Sequence, residues 1–191
     1  MRIIGGRAKG RRLHSPAKGA KFANQRIRPT SDRAREALFN IIGSEIDKAT
    51  VLDLYAGTGA LGLEAMSRGA ELAVFVDHSN SAIQIISKNI DLCGFSDKAL
   101  IIKRDLSKGL SFLAKEIRGS TFHVVFVDPP YRKELSCFML KELSKSSLLV
   151  PQALVVIEEN ALAELPDEVE NLILVDRRRY GETGFWLFRL N

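Results

Sequence analysis

Cysteine is scarce in this 191-residue chain, and so are long apolar runs and N-terminal acid. The two cysteines, Cys93 and Cys137, both fall in apolar helical patterns. They exclude a disulfide scaffold and read as reduced core residues of a cytoplasmic protein. No apolar stretch reaches the roughly 18 residues of a membrane span, so no membrane association is expected. The N-terminus lacks the apolar core of a signal peptide, and none is expected. No metal site is read. Acid is nearly missing from residues 1–35, where eleven Lys and Arg face one acid, Asp32. The formal net charge is +5, so that segment carries +10 and the remainder −5. A basic arm on an acidic body suits a polyanionic partner, most simply nucleic acid, although a solvated tail has the same composition.

At 46% hydrophobic and 27% charged, the chain can bury one good core. Its organising stretch is Val51-Leu52-Asp53-Leu54-Tyr55-Ala56-Gly57-Thr58-Gly59-Ala60-Leu61-Gly62. Val51 to Tyr55 reads as a buried strand, the glycines as a tight turn, and Leu61 to Ser67 as the start of a helix. Strand, glycine turn and helix open a nucleotide-binding α/β unit, because glycine lets the chain turn sharply and a ligand lie against it. The G-x-G-x-x-G spacing of Gly57, Gly59 and Gly62 fits NAD or FAD enzymes, methyltransferases, or a turn kept for packing alone. Asp53 is costly to bury without a partner, and the ammonium of an amino-acid-like ligand would be one.

Residues 1–30 read as a basic arm and 31–191 as one α/β domain. Met1 to Ser15 could be a hairpin or an extended arm, and Pro16 to Arg28 a loop that orders on its partner. Thr30 or Ser31 caps a helix whose apolar stripe is Ala34, Ala37, Leu38, Ile41 and Ile42, with Gly43 ending it. Arg33 and Arg35 fall off that stripe, free to face a ligand or phosphate. Apolar runs then recur at 51–55, 72–76, 99–102, 123–127 and 153–157, separated by helical stretches near 60–68, 80–93, 107–117 and 134–146. That alternation predicts parallel strands buried on both faces. Strands near 171–176 and 184–190 close the chain, with Arg177 to Gly181 as a hairpin connection.

Acids end several of these strands, where open α/β sheets bind ligands. Asp77 follows Leu72–Val76 at the distance beyond Gly57 where a carboxylate takes up ribose hydroxyls. Asp105 could accept from an adenine amino group. Asp128 opens Asp128-Pro129-Pro130-Tyr131, in which two prolines stiffen the turn and remove two backbone donors. The Asp128 carboxylate and the Pro129 carbonyl are then fixed acceptors, and Tyr131 offers a face for stacking. The turn suits a planar amine. Each acid alone could be a helix cap, and the proline turn a rigid corner.

These stretches resemble the class I S-adenosylmethionine-dependent amino-methyltransferases. Arg28-Pro29-Thr30, Asp32-Arg33-Ala34-Arg35-Glu36-Ala37-Leu38-Phe39-Asn40, Arg2-Ile3-Ile4-Gly5-Gly6 and Arg179-Tyr180-Gly181-Glu182-Thr183 resemble the bacterial RsmD type, the 16S ribosomal RNA guanine-N2 methyltransferases. The resemblance runs nearly end to end. Tyr55 and Thr58 stand where Phe and Ser are more familiar, swaps that keep the chemistry. The resemblance implies a Rossmann-like seven-stranded sheet with its last strand antiparallel, and S-adenosyl-L-methionine as cofactor. It implies cofactor contacts at Asp53, Ala56, Gly57, Thr58, Gly59, Asp77, His78, Asp105, Leu106 and Asp128. His78 enters by position, with no chemical role read for it. The catalytic turn would be Asp128, Pro129, Pro130 and Tyr131. RNA contacts are expected from Arg2, Arg7, Lys9, Arg11, Arg12, Arg26, Arg28 and Arg33. The partner would be 16S rRNA, within the 30S particle, and the protein a monomer. Three other readings share features of the chain. An NAD(P)-dependent oxidoreductase would use the glycines and Asp77 but leaves the proline turn unexplained. An adenine-N6 or glutamine methyltransferase would share that turn. A non-catalytic RNA-binding module would have lost motif positions, and none is missing.

Overall fold

The computed structural model describes residues 1–16, 31–117, 119–130 and 133–191. Helices form at Asp32–Ile42 (α1), Ala60–Ser67 (α2), Asn80–Cys93 (α3), Leu113–Glu116 (α4) and Lys133–Ser144 (α5). Strands form at Thr50–Leu54 (β1), Leu72–Asp77 (β2), Ala99–Lys103 (β3), Phe122–Val127 (β4), Leu149–Asn160 (β5), Glu168–Val169 (β6), Leu172–Tyr180 (β7) and Thr183–Leu190 (β8). They make one sheet in the order β3-β2-β1-β4-β5-β8-β7-β6. The first five strands pair in parallel, and β8 runs antiparallel to both β5 and β7. The sheet has eight strands rather than seven, because the two-residue edge strand β6 is too short to leave an alternation in the sequence.

The parallel strands are apolar on both faces because both are covered. Val51, Phe75, Phe126 and Val156 pack with α1, α2 and α3; Leu52, Val76, Val125 and Ile157 pack with the α4 and α5 side. Ser31 caps α1 by accepting from the Ala34 amide, and Gly43 ends it at φ 57°. The buried stripe of α1 is Ala34, Arg35, Leu38, Phe39 and Ile42, rotated from the expected one. Arg35 is therefore not free to meet a ligand: it is fully buried. Its Nη2 donates to the Arg2 carbonyl at 2.5 Å and to Asp32 at 3.0 Å, and its Nε lies 3.8 Å from Glu64. Carboxylates on two sides make that burial tolerable. They lie far from it in sequence or on the edge of its helix, so the period alone could not show them.

Of the hairpin and the extended arm open to residues 1–15, the structure has the hairpin, docked on the domain as a clip. Ile3 donates to the Arg11 carbonyl at 3.0 Å, Leu13 to the Met1 carbonyl at 3.2 Å, and Arg2 and Arg12 form an antiparallel bridge. Ile3, Ala8 and Leu13 are buried in the core. Glu64 on α2 accepts from the Ile4 and Gly5 amides, each at 2.8 Å, and from Arg68 Nε at 2.8 Å. Gly6, at φ +72°, lies so close to α2 that a Cβ would stand 1.7 Å from the Ser67 carbonyl oxygen. At the other end of the chain, Arg177 to Tyr180 belong to β7, and the hairpin turn is Gly181-Glu182. Three successive arginines read as loop by charge. In the fold Arg177 lies 4.8 Å over the ring of its cross-strand partner Trp186.

Candidate active site at the carboxyl ends of the strands

Strand β1 stands where the sheet order reverses, with β2 and β3 on one side and β4 and β5 on the other. That is the crevice in which open α/β sheets bind ligands. Leaving β1, the chain takes positive φ at Tyr55 (58°), Gly57 (56°) and Gly59 (75°). For tyrosine this conformation costs about 1–3 kcal/mol and persists only where surrounding contacts enforce it. Here the Ala56 amide donates to the Val76 carbonyl at 3.0 Å and the Gly57 amide to Asp77 Oδ2 at 2.9 Å. Space in front of the loop is open: a Cβ on Gly57 would meet only the Tyr55 carbonyl oxygen, at 3.8 Å. Gly62 serves packing, since a Cβ there would stand 2.4 Å from the Phe75 ring. Thr58 is buried, and its carbonyl accepts from Asn89 Nδ2 at 2.9 Å.

The expected acids reach the same edge by different means. Asp53 accepts from the Gly62 amide at 2.9 Å, so part of its need for a partner is met internally. Burial pushes its carboxyl up to about 8, against that hydrogen bond and with help from Asp77 and Glu158. Asp77 is buried, and its Oδ1 accepts from the Ser79 amide at 2.8 Å. A carboxylate has about four acceptor sites, so Asp77 retains capacity for ligand hydroxyls. His78 is exposed, with Nδ1 3.5 Å from Asp77. Asp105 is exposed and caps the turn Leu106–Lys108 through the Ser107 amide at 3.0 Å; hydrogen bonds from Ser107 hold its carboxyl below the usual range. Leu106 and Ala56 are buried. Asp128 follows β4, with its amide 3.4 Å from the Leu54 carbonyl oxygen. Burial first, then Glu158, Asp53 and Glu159, hold the Asp128 carboxyl well above the ordinary value. Pro129 is buried and Pro130 exposed; Tyr131 lies outside the described residues, as do Arg26 and Arg28.

The basic residues divide between the two edges of the sheet. Helices α2 and α3 start at the carboxyl-end edge and finish at the amino-end edge. The tip of the N-terminal clip docks at their finishing ends: the Arg7 amide donates to Ser67, and the Arg7 side chain lies 4.4 Å over Phe95. Arg11 donates to the Leu92 carbonyl. Arg7, Lys9 and Arg11 thus stand at the amino-end edge. Arg2 pairs with Asp32 at 3.6 Å beside the start of α1, where Arg33 is exposed. Arg12 is exposed next to Arg2.

Three features escaped the sequence reading. Glu158 and Glu159 end the apolar run of β5, the same signature that marked Asp77 and Asp128, and both are buried. Tyr55 carries a buried hydroxyl with no hydrogen-bond partner among the described residues, and burial, then Asp105, pushes it up to about 12. Fully buried Asn89 falls on the apolar stripe of α3. Its Oδ1 accepts from the His14 amide at 2.6 Å, and its Nδ2 donates to the His14 and Thr58 carbonyls. It thereby ties the N-terminal segment to the glycine loop. Open loop, ringed acids and an unsatisfied hydroxyl together suit a polyhydroxylated ligand with a cationic end.

Residues 1–189 match the family described as Conserved hypothetical protein 95. The chain is 34% identical over 189 residues to the Ribosomal RNA small subunit methyltransferase D of Escherichia coli K12, covering 99% of this chain and 89% of that one. It is 31% identical over 190 residues to the Haemophilus influenzae protein of the same name, covering 99% and 93%. A solved structure of a hypothetical protein from Thermus thermophilus superposes with a TM-score of 0.78 at 32% identity, over 98% of each chain.

Proposed function

We propose, because the chain belongs to the Conserved hypothetical protein 95 family, that it methylates 16S ribosomal RNA at the exocyclic N2 of a guanine, using S-adenosyl-L-methionine. The observation that carries the reading is the Asp128-Pro129-Pro130 turn, set at the carboxyl end of β4 beside the glycine loop. Two relatives named ribosomal RNA small subunit methyltransferases support an rRNA substrate. The protein acts as a cytoplasmic monomer on the assembled 30S particle.

When bound, the cofactor supplies an electrophilic methyl group on a sulfonium. The chain's own work is to position and to stabilise charge. Asp77 accepts from the ribose hydroxyls, Asp105 and buried Leu106 border the base, and Gly57 to Gly59 let the ligand lie against backbone. Asp53 faces the cationic end. Guanine N2 is a poor nucleophile because its lone pair is delocalised into the ring. Asp128 and the Pro129 carbonyl accept from its two N–H groups and draw the nitrogen toward a tetrahedral shape. Asp128 resists ionisation in the free protein. The carboxyl gives up its proton to solvent when the amine docks; its charge then faces the positive nitrogen, and the methylated nitrogen, acidic while cationic, returns a proton to the carboxylate. Tyr131 stacks the base, which leaves its own RNA stack to enter. Arg2, Arg12, Arg26, Arg28 and Arg33 hold the RNA backbone; Arg7, Lys9 and Arg11 stand at the opposite edge, where Arg7 and Arg11 are held against Phe95 and the Leu92 carbonyl.

The test is methyl transfer from labelled cofactor to 30S particles and to protein-free 16S RNA, followed by nucleoside mass spectrometry. N2-methylguanosine, formed much faster on 30S particles, is the expected product. N6-methyladenosine would overturn the guanine assignment, and equal rates on both substrates would overturn the 30S preference.

A further inference from the structure

The clip spends Arg7 and Arg11 at the amino-end edge, against Phe95 and the Leu92 carbonyl. An RNA strand whose target base enters beside Asp128 crosses the opposite edge. Arginines stand there that the site does not use, at the end of β7. Thr183 pairs with Asn160, so the β7–β8 hairpin closes at the carboxyl end of β5. Val127 pairs with Ile157, which brings that end level with Asp128. From β4 the sheet continues through β5 and β8 to β7. At about 4.8 Å per strand this is a lateral step of roughly 14 Å, within reach of the nucleotides flanking the target.

The three arginines are not equivalent. Arg177 lies over Trp186 and donates to the Ala161 and Ala163 carbonyls, each at 3.2 Å; it braces the chain leaving β5. Arg178 and Arg179 are exposed. Each is steadied through its Nε, Arg178 by Asp176 at 2.9 Å and Arg179 by the Gly181 carbonyl at 3.1 Å. Nε anchoring orients the planar guanidinium fork, which matches a phosphate. Their cross-strand partners, Phe185 and Gly184, are neighbours in β8, so the two heads leave opposite faces of the sheet and straddle its outer edge. Strand β6 pairs only with Leu172 and Ile173, and the Leu174 amide donates to the Asp167 carbonyl at 2.7 Å, so among the described residues no strand pairs with that edge of β7 beyond Leu174.

We infer that Arg178 and Arg179 form a second contact for the RNA backbone, on the far side of the cleft from the N-terminal clip. This rests on the RNA-methyltransferase reading above. The competing role is protection of a bare strand edge, for which charged side chains also serve. Only an RNA contact releases counterions on binding.

The experiment measures binding of 30S particles against salt for the wild type, Arg178→Ala/Arg179→Ala and Arg178→Lys/Arg179→Lys, with S-adenosylhomocysteine affinity read in parallel. The alanine pair should weaken 30S binding at least tenfold at low salt, with unchanged cofactor-product affinity. Its logarithmic salt slope should be shallower by about 1.4, at about 0.7 for each single-strand phosphate. The lysine pair should keep the wild-type slope, because the slope counts charges. An alanine pair that keeps cofactor-product affinity and the wild-type slope overturns the inference, whether or not it self-associates. So does a lysine pair that loses the slope. A wild type with no salt-dependent 30S binding would fail the RNA reading itself, a separate result.

Discussion

At the carboxyl-end edge of the sheet, Tyr55 holds a positive φ and a buried hydroxyl without a partner among the described residues. Asp53 and Asp128 sit there with their carboxyls pushed up by burial. At the amino-end edge the backbone is equally unusual but its groups are matched. Gly6 fits where no side chain could, the Arg7 amide meets the Ser67 carbonyl, and Ser67 Oγ donates to the Gly5 carbonyl at 2.5 Å. Strain is present at both edges, but the raised carboxyls collect at one; beneath the clip, the buried atoms left without a hydrogen-bond partner among the described residues are Nε and Nη1 of Arg35, with Glu64 3.8 Å from that Nε. The difference teaches where to look for chemistry: raised carboxyls at one edge are held in place by contacts completed elsewhere.

The largest effect should follow from breaking the carboxyl-end edge at Asp128. Asp128→Ala should lower single-turnover methyl transfer to 30S particles by about 10²–10³-fold, with cofactor-product affinity nearly unchanged. Asp128→Asn should lose less, because an amide oxygen still accepts a hydrogen bond. Near-normal rates for the alanine variant would make the proline turn a structural corner.

The amino-end edge should break in stability instead. Gly6→Ala drives a Cβ into the Ser67 carbonyl and should cost about 1–3 kcal/mol in urea unfolding. Gly10→Ala is the control: it has a similar φ of +85° but nothing within 4 Å of the added Cβ. Equal losses at both positions would mean that conformation, not docking, governs this edge.

Asp77→Ala should weaken S-adenosylhomocysteine binding by about 1–3 kcal/mol, the cost of leaving hydrogen-bonding groups unpaired. Calorimetry reads this directly, and an unchanged affinity would take Asp77 out of the site.

The carboxyl-end edge should also show a pH dependence. The Asp53 carboxyl titrates near 8 when folded, against about 3.9 in an unfolded chain. Between those values the folded state holds the extra proton, so this group's contribution to stability falls as pH rises from about 4 toward 8. Asp53→Asn should flatten that decline in ligand-free protein. An unaltered pH profile would show that Asp53 is not held neutral.

The strands, the glycine turn and the acids at their ends were legible because each leaves a local pattern: an apolar run, a spacing, a carboxylate after the run. Asp77 bound to the Gly57 amide is the clearest case. The burial of Arg35 was not legible, because Glu64, Glu158 and the Arg2 carbonyl come to it from other elements. The docking of the clip was hidden for the same reason: its basic composition points to nucleic acid or to solvent, while Glu64 and Ser67 supply partners about sixty residues away. Glu158 and Glu159 carry the same local pattern, since they follow an apolar run as Asp128 does.

The central claim is that the acids and the proline turn at the carboxyl-end edge direct a methyl group to a guanine amine in 16S rRNA. The direct measurement is mass spectrometry of 16S rRNA nucleosides from cells lacking the gene, complemented with wild type or Asp128→Ala. The account predicts that one N2-methylguanosine disappears, returns with the wild type, and does not return with the variant. An unchanged nucleoside profile on deletion, or full restoration by Asp128→Ala, would contradict it.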